Sequence, residues 1–420
     1  MPATFSGRRR AARWLLAVSI AARLAVAPFT EDPWDLRVWE QTGLRIADGH
    51  TPYVQQKLPY AYPPVWAGWC GLAASVGGSA RPRLWRLMLK LPLVAADGGL
   101  GWALASAGPA GPVAAAVVAL APPFFTVSAL WGQFDALPAL FTVLALLALA
   151  RRRAGWAGIL LGLASSWKLA YPLLALPWLA ACAWRAGGAR AAARLVGGAG
   201  LVLGAALAPA LAFDPRGFLQ AMAFHAHRPS QGLVLWPLLA HLVPALDRAG
   251  DVVAPLALLL GNLVLVRLDR ARRAPELEEL ASGTALLTAL FLLTSKVVNE
   301  QYVLWLAAPL LLAWAASGRR STGWLVALVL GMVSVILGLH VLPDLTGIAP
   351  GWVRGDHFPL YPLLGWLGVV AWAAHLGVAI LLARSLRGQG DGPALGRTTS
   401  PTPGLQADRR MTSSGGKTAV

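Results

Sequence analysis

Long apolar stretches recur along the whole of this 420-residue chain, and they constrain its fold more than any other feature. A helix that crosses a bilayer needs about 20 mostly apolar residues, because the hydrocarbon core is about 30 Å thick. Residues of this kind fill the segments 133–150, 192–212, 252–268, 322–341 and 362–383. These segments are too long and too rich in Leu and Ala for barrel strands, which alternate apolar and polar residues. Because lipid cannot satisfy free backbone groups, the sequence predicts an all-α, polytopic bundle of transmembrane helices.

The distribution of charge supports the same conclusion. Only 13% of the residues are charged and 57% are hydrophobic, which is unlike the balance in a soluble domain. A net charge of +17 would suggest a nucleic-acid partner for a soluble protein, but here the basic residues form short clusters between apolar segments. That pattern is typical of loops on the cytoplasmic side of a membrane. We therefore expect a multi-pass protein of the cell membrane that contacts membrane lipids and binds no nucleic acid.

The basic clusters also predict which loops lie inside. These clusters are Arg8–Arg13, Arg81–Arg86, Arg151–Arg153, Arg185–Arg194, Arg267–Arg273, Arg319–Arg320 and Arg384–Arg387. Three apolar segments separate the second cluster from the third, yet a return to the same side requires an even number of crossings. We therefore predict that segment 111–131 is broken or re-entrant, because Pro122 and Pro123 interrupt it.

A second partial segment is predicted at 233–247, which is short and contains Pro237 and Pro244. Together these assignments predict about 12 full crossings, two broken or re-entrant segments and both termini inside. The expected organisation is a cytoplasmic N-tail (1–11), a transmembrane domain (12–386) with an outer loop (30–61), and a cytoplasmic C-tail (387–420). The C-tail is rich in Gly, Ser, Thr and Pro, which predicts disorder.

Most of the unusual polar residues are thereby placed on the outer face. They are the loop 30–61, Trp131–Asp135, Lys168, the loop 213–232 with His225, His227 and Arg228, and Lys296–Tyr302. Residues 35–48 have an amphipathic pattern that fits either a helix on the membrane interface or a solvated loop. Among the acids of the first outer loop, Glu31, Asp32 and Asp35 are the best placed for general-base chemistry.

Several of these residues also have a purely structural interpretation. Asp135 precedes an apolar helix and fits an N-cap. Lys168 stands among apolar residues, where a lysine is costly and faces a polar cavity or a partner unless it snorkels to the surface. Lys296 and Glu300 are four residues apart, a spacing that a simple salt bridge explains. Arg228, with His225 and His227, fits a phosphate-binding site, because arginine donates two parallel hydrogen bonds to phosphate oxygens.

Four stretches together carry a resemblance to a known superfamily. They are Asp35 followed by Gly49-His-Thr-Pro-Tyr53 and Tyr60-Ala-Tyr-Pro-Pro64, then Trp131-Gly-Gln-Phe-Asp135, then Gly158, Gly162 and Lys168 with Tyr171-Pro172, and Lys296-Val-Val-Asn-Glu-Gln-Tyr-Val-Leu-Trp305. In this order they resemble the GT-C integral-membrane glycosyltransferases over about residues 12–385. The branches that they resemble are bacterial polyprenyl-phosphate-mannose transferases and the first mannosyltransferase of GPI-anchor synthesis.

The resemblance implies a lipid-phosphate sugar donor, an outer-facing active site and an acid of the first outer loop as general base. Asp35 matches that acid. The family often has a second acid there, two residues from the first. In this sequence Asp32 lies three residues before Asp35, a departure from that spacing. Asp35 and Asp32 are the candidate catalytic residues. The candidate substrate-binding residues are Arg228, Lys168, Lys296, Gln301, Tyr302, Asp135, Gln133, His227 and Tyr62.

The expected activity is that of an inverting hexosyltransferase, which moves a sugar from a polyprenyl phosphate to a hydroxyl group of a lipid or glycan acceptor. Mannose is the sugar that the resemblance suggests. The sequence predicts no cofactor and no metal ligands, and it is compatible with a reaction that a divalent metal assists. A transporter or flippase for a lipid-linked or anionic substrate is the alternative, because broken helices and intramembrane charges also occur in transporters.

Overall fold

The structure is a computed structural model that describes residues 2–30, 35–53, 60–78, 80–169, 171–268, 275–346 and 360–390. Helices account for nearly all of the described chain. The first eight are α1 (Pro2–Val26), α2 (Asp35–Ala47), α3 (Pro64–Val76), α4 (Pro82–Ala105), α5 (Gly111–Leu120), α6 (Pro122–Phe125), α7 (Ala136–Ala150) and α8 (Ala154–Trp167). A π-helical segment, Thr126–Trp131, follows α6.

The second half of the chain is also helical. Its helices are α9 (Leu176–Phe213), α10 (Pro215–His227), α11 (Trp236–Leu242), α12 (Ala249–Leu268), α13 (Leu277–Thr294), α14 (Val303–Ser317), α15 (Arg320–Thr346) and α16 (Leu360–Gly390). Short 3-10 helices occupy Ala27–Phe29, Tyr171–Ala175, Pro244–Arg248 and Glu300–Tyr302. Two short parallel strands, β1 (Gln231–Gly232) and β2 (Val297–Val298), pair with each other.

The helices have the length and composition of membrane spans. Among the described residues, six helices are long and apolar enough to cross a bilayer, or seven if α5 and the bent segment after it form one span. In α9, Gly187 and Gly188 have non-helical backbone angles and divide the helix into two parts. The protein is therefore an all-α, multi-pass membrane protein, while the count of about 12 crossings stays a prediction.

The first broken segment lies where the prolines predict it. α5 ends at Leu120, α6 begins at Pro122, and the two parts are bent by 55°. The second predicted partial segment contains α11, which has seven residues, and most of the 3-10 helix Pro244–Arg248, and neither is long enough to span the bilayer. Both predictions of interrupted segments are confirmed.

The placement of the basic cluster Arg81–Arg86 was wrong. α1 and α4 run in opposite directions, because Arg23 pairs with Asp97 and Arg83 lies over the ring of Phe29 at 5.1 Å. The cluster therefore lies at the same end of α1 as the loop that begins after Phe29, not on the opposite side. The physical reason is α3, which has only 13 residues, about 20 Å of helix, and packs against α2.

The amphipathic stretch of the first loop is a helix, α2, as one of the two interpretations predicted. Its residues Leu36 and Trp39 are buried, and Gly43 lies so close to α3 that a Cβ there would come within 2.4 Å of the carbonyl oxygen of Cys70. This tight contact fixes α2, and with it Asp35, on the body of the protein. Asp32 and the tail 391–420 lie outside the described residues.

At the other end of the chain, α1 begins at Pro2, so residues 2–11, the predicted N-tail, form the first turns of that helix. The core of the bundle is centred on α14, where every residue from Val303 to Ala313 is buried. Because α14 begins directly after the 3-10 helix Glu300–Tyr302, this buried helix fixes the position of Tyr302 and Trp305.

Candidate active site

Asp35 is the first residue of α2, and its carboxylate accepts hydrogen bonds from the loop after the broken helix. Its Oδ2 accepts one from Nε1 of Trp131 at 2.9 Å and another from Nε2 of Gln133. Gly132, between these donors, has a φ of 85°, and a Cβ there would come within 2.9 Å of Leu36. A glycine is therefore needed for the loop to turn both donors toward the carboxylate.

Asp135 and Lys168 form a buried ion pair in the same region. The Nζ of Lys168 lies 2.8 Å from Oδ1 of Asp135, and Nε1 of Trp305 donates to the same oxygen at 2.7 Å. Asp135 occupies the N-cap position of α7, as one interpretation predicted, but its side chain makes no capping hydrogen bond and pairs with Lys168 instead. Lys168, at the end of α8, is 6% exposed, which excludes snorkelling and confirms that it faces a partner.

Aromatic rings surround the ammonium group of Lys168. It lies 4.4 Å from the ring centre of Tyr302, 5.1 Å from that of Trp305 and 5.2 Å from that of Phe134. Tyr302 stacks on Trp305 with ring centres 4.1 Å apart, and the ammonium group lies beside this stacked pair. Cation–π attraction and the carboxylate together offset the cost of burying this charge.

A cavity of about 400 Å³ opens beside Lys168. Its walls are formed by Ala61, Tyr62, Pro63, Lys168, Leu169, Met222, His225, Gly250, Asp251, Phe291, Ser295, Lys296, Val297, Tyr302 and Trp305. The wall also holds a second ion pair, in which the Nζ of Lys296 lies 2.8 Å from Oδ1 of Asp251. The cavity is thus largely apolar, with cations at fixed positions.

The strand pairing brings the loop after α10 next to the Lys296 loop. Gln231 pairs with Val297 and Gly232 with Val298. This places Arg228, three residues before β1, near the cavity although it is not on its wall. In the part of the chain that the structure describes, no carboxylate pairs with Arg228, whose guanidinium lies over the ring of Phe224 at 5.5 Å.

The histidines of α10 point in different directions. His225 lines the cavity, and its Nε2 lies 2.6 Å from the carbonyl oxygen of Ala61, which only accepts and so requires a proton on Nε2. His227 is exposed and contacts the carbonyl of Ala223, away from the cavity wall. His227 does not line this cavity, so its role in binding stays a prediction. His225 lines the wall together with Met222, which lies three residues earlier on the same helix.

Burial keeps the cavity phenols protonated. Burial raises the pKa of Tyr62 well above its usual range, with Asp35 adding to the rise and Arg228 opposing it. Burial likewise raises the pKa of Tyr302, and Lys168 opposes that rise. Asp35 and Arg228 therefore act in opposite directions on the pKa of Tyr62, a residue of the cavity wall.

The remaining candidates are placed as follows. Gln301 is 1% exposed, and its Oε1 has no hydrogen-bond partner among the described residues, but it does not line the cavity. Gln133 holds Asp35 and is equally buried. Within the described chain, no three His, Cys, Asp or Glu side chains come together as metal ligands.

Comparison with known protein families gives a match to glycosyltransferase family 87 over residues 56–295, more than half of the chain. No curated protein matches. The matched residues include Asp135, Lys168 and Arg228, whereas Asp35 lies before them and Lys296 directly after them. The chain belongs to glycosyltransferase family 87, a GT-C-like family of membrane enzymes that transfer a sugar from a donor to an acceptor.

Proposed function

We propose that this enzyme transfers a hexose from a polyprenyl-phosphate donor to a hydroxyl group of a lipid or glycan acceptor, with inversion, at the outer face of the cell membrane. One observation carries the proposal. Asp35, a carboxylate held by two donors, acts electrostatically on Tyr62, which lines a largely apolar cavity that also has two lysines on its wall. Mannose is the first sugar to test, because it is the sugar that the sequence resemblance suggests.

Asp35 acts as the general base. A hydroxyl acceptor is a weak nucleophile, and a carboxylate that takes its proton during attack makes it effective. The acceptor oxygen bonds to the anomeric carbon as the bond from that carbon to the phosphate oxygen breaks. A single displacement of this kind inverts the configuration and needs no covalent enzyme intermediate. Asp32 remains a proposed second acid.

The leaving polyprenyl phosphate carries the charge that develops in this step, and Arg228 is the residue proposed to bind it. Lys168 and Lys296 each already contact a carboxylate, whereas Arg228 pairs with none in the described chain. A guanidinium offers two parallel N–H groups to phosphate oxygens. Lys168 and Lys296 contribute positive potential from the cavity wall.

The donor class is tested with purified protein in lipid nanodiscs. Polyprenyl-monophosphate mannose, polyprenyl-monophosphate glucose and the corresponding nucleotide sugars are offered in parallel, each radiolabelled in the sugar, with a membrane lipid extract as acceptor. The expected result is a labelled product from a polyprenyl-phosphate sugar, formed about 10²-fold or more slowly by the Asp35→Asn variant. Product from nucleotide sugars alone would overturn the proposed donor class.

The proposed orientation is tested by cysteine labelling in intact cells. His50 and Arg152 are both exposed, and Cys70 and Cys182 are buried and can be replaced to give a cysteine-free background. An impermeant thiol reagent should label His50→Cys and leave Arg152→Cys unlabelled until the cells are opened. The reverse pattern would place the cavity on the cytoplasmic side.

A further inference from the structure

The two prolines of the broken helix leave backbone carbonyls without their usual partners. In an α-helix the carbonyl of residue i accepts from the N–H of residue i+4, and proline has no N–H. Pro122 and Pro123 therefore leave the carbonyls of Val118 and Ala119 unsatisfied. In the structure, Arg23 donates to the first at 2.8 Å and Ser19 to the second at 2.6 Å.

A buried lysine satisfies carbonyls at the other end of the same segment. The Nζ of Lys90 lies 2.8 Å from the carbonyl oxygen of Leu130 and 2.7 Å from that of Thr30. Lys90 is fully buried on α4, so its charge does not reach the membrane surface. Lipid would leave these carbonyls unsatisfied, which explains why a lysine is retained inside the bundle.

The carbonyls of Leu130 and Thr30 belong to the two segments that meet where Asp35 accepts its hydrogen bonds. Leu130 directly precedes Trp131, which donates to Asp35, and Thr30 lies five residues before Asp35 in the chain. One ammonium group thus holds together the segment that brings the base and the segment that brings its donors. The 3-10 helix before Thr30 is held as well, through the carbonyl of Ala27 at 3.2 Å.

We propose that Lys90 is a positioning residue of the transfer reaction, which fixes Asp35 against Trp131 and Gln133. The inference rests on the proposed role of Asp35 as base. Lys90 itself does not line the cavity, so it acts through the geometry of others. A displacement of about 1 Å from a mutation remote from the chemistry can cost on the order of 10²-fold in rate.

The test measures steady-state turnover of purified, folded Lys90→Met with the polyprenyl-phosphate sugar that the donor panel identifies. We expect kcat to fall on the order of 10²-fold, with KM for the donor changed by less than about threefold, because binding groups stay in place. Lys90→Arg keeps a cation and should restore part of kcat. In the Asp35→Asn background, Lys90→Met should cause little further loss, because the positioned group is no longer a base.

Ser19→Ala is the matched control. It removes a buried hydrogen bond at the far end of the same broken segment, where Arg23 still lies 3.4 Å from the carbonyl of Ala119. It should leave kcat within about twofold of wild type, since a single replaceable hydrogen bond is worth little. A loss in Ser19→Ala as large as that in Lys90→Met would mean that general loosening of the helix, not positioning, is being measured, and would overturn the proposal.

The remaining outcomes separate this inference from the proposed function. Wild-type kcat in Lys90→Met beside a strongly reduced kcat in Asp35→Asn would overturn the inference alone, as would equal losses from Lys90→Met in both backgrounds. Wild-type turnover in Asp35→Asn would overturn the role of Asp35 and the inference with it. If Lys90→Met does not fold, Thr30→Val removes only the hydroxyl that lies 2.9 Å from Nζ, and kcat should fall severalfold; an unchanged kcat would overturn the proposal.

Discussion

The cavity has two Lys–Asp pairs that share the same charges but not the same surroundings. The side chains of Lys168 and Asp135 are 8% and 0% exposed, and aromatic rings enclose the ammonium group. The side chain of Lys296 is equally buried, but that of Asp251 is 38% exposed. The first pair cannot separate without leaving a buried charge, whereas water can solvate Asp251, so the second pair costs less free energy to break.

The largest stability effect is expected from Asp135→Asn. The amide can still accept from Trp305, but Lys168 is left buried without its counter-charge, which typically costs about 3–5 kcal/mol. Thermal unfolding of the detergent-solubilised protein measures the loss. The double variant Asp135→Asn/Lys168→Met should recover part of the stability, because no buried charge remains. An unchanged unfolding temperature in Asp135→Asn would show that the pair is not isolated from water.

Arg228→Ala extends the comparison to a cation without a carboxylate partner in the described chain. Removal of a charge-assisted contact to phosphate costs about 2–3 kcal/mol, which is roughly a 30- to 150-fold loss in donor affinity or transfer rate. Arg228→Lys should recover only part, because the bidentate fork is lost. Donor titrations measure the effect, and Arg216→Ala, an exposed arginine at the start of the same helix, is the control. Normal donor use by Arg228→Ala would shift the phosphate site to Lys168 or Lys296.

The smallest stability effect is expected from Asp251→Asn. An ion pair with a solvent-exposed partner contributes about 0–1 kcal/mol, and salt screens it. The unfolding temperature should therefore change little, and by much less than in Asp135→Asn. A loss of stability as large as that in Asp135→Asn would show that the two pairs are equivalent.

The sequence predicted the parts of the site that local patterns determine. Lys168 stood out as an isolated charge in an apolar helix, and Pro122 and Pro123 determined where the helix breaks. The partner of Lys296 was not predictable, because Asp251 is 45 residues away and the two are brought together by packing of α12 on the Lys296 loop. The same holds for Lys90, whose carbonyl partners carry no side-chain signal.

The error on Arg81–Arg86 has a related cause. Basic clusters predict the inside only if the apolar segment between two loops crosses the bilayer, and α3 has the composition of a span without its length. The contact between Arg83 and Phe29 depends on how α4 packs on α1, which no local pattern encodes. The position of His225 on the cavity wall was not predictable either, because it depends on the direction of α10 relative to the cavity.

Turnover of the Asp35→Asn variant tests the proposed chemistry most directly. The substitution keeps the size of the side chain and its contact with Trp131 while removing its basicity. With a polyprenyl-phosphate sugar as donor, we expect kcat to fall by about 10²-fold or more, with unchanged donor binding and unfolding temperature. Wild-type kcat in the folded variant would contradict the assignment of Asp35 as the base and would direct the search to Asp32.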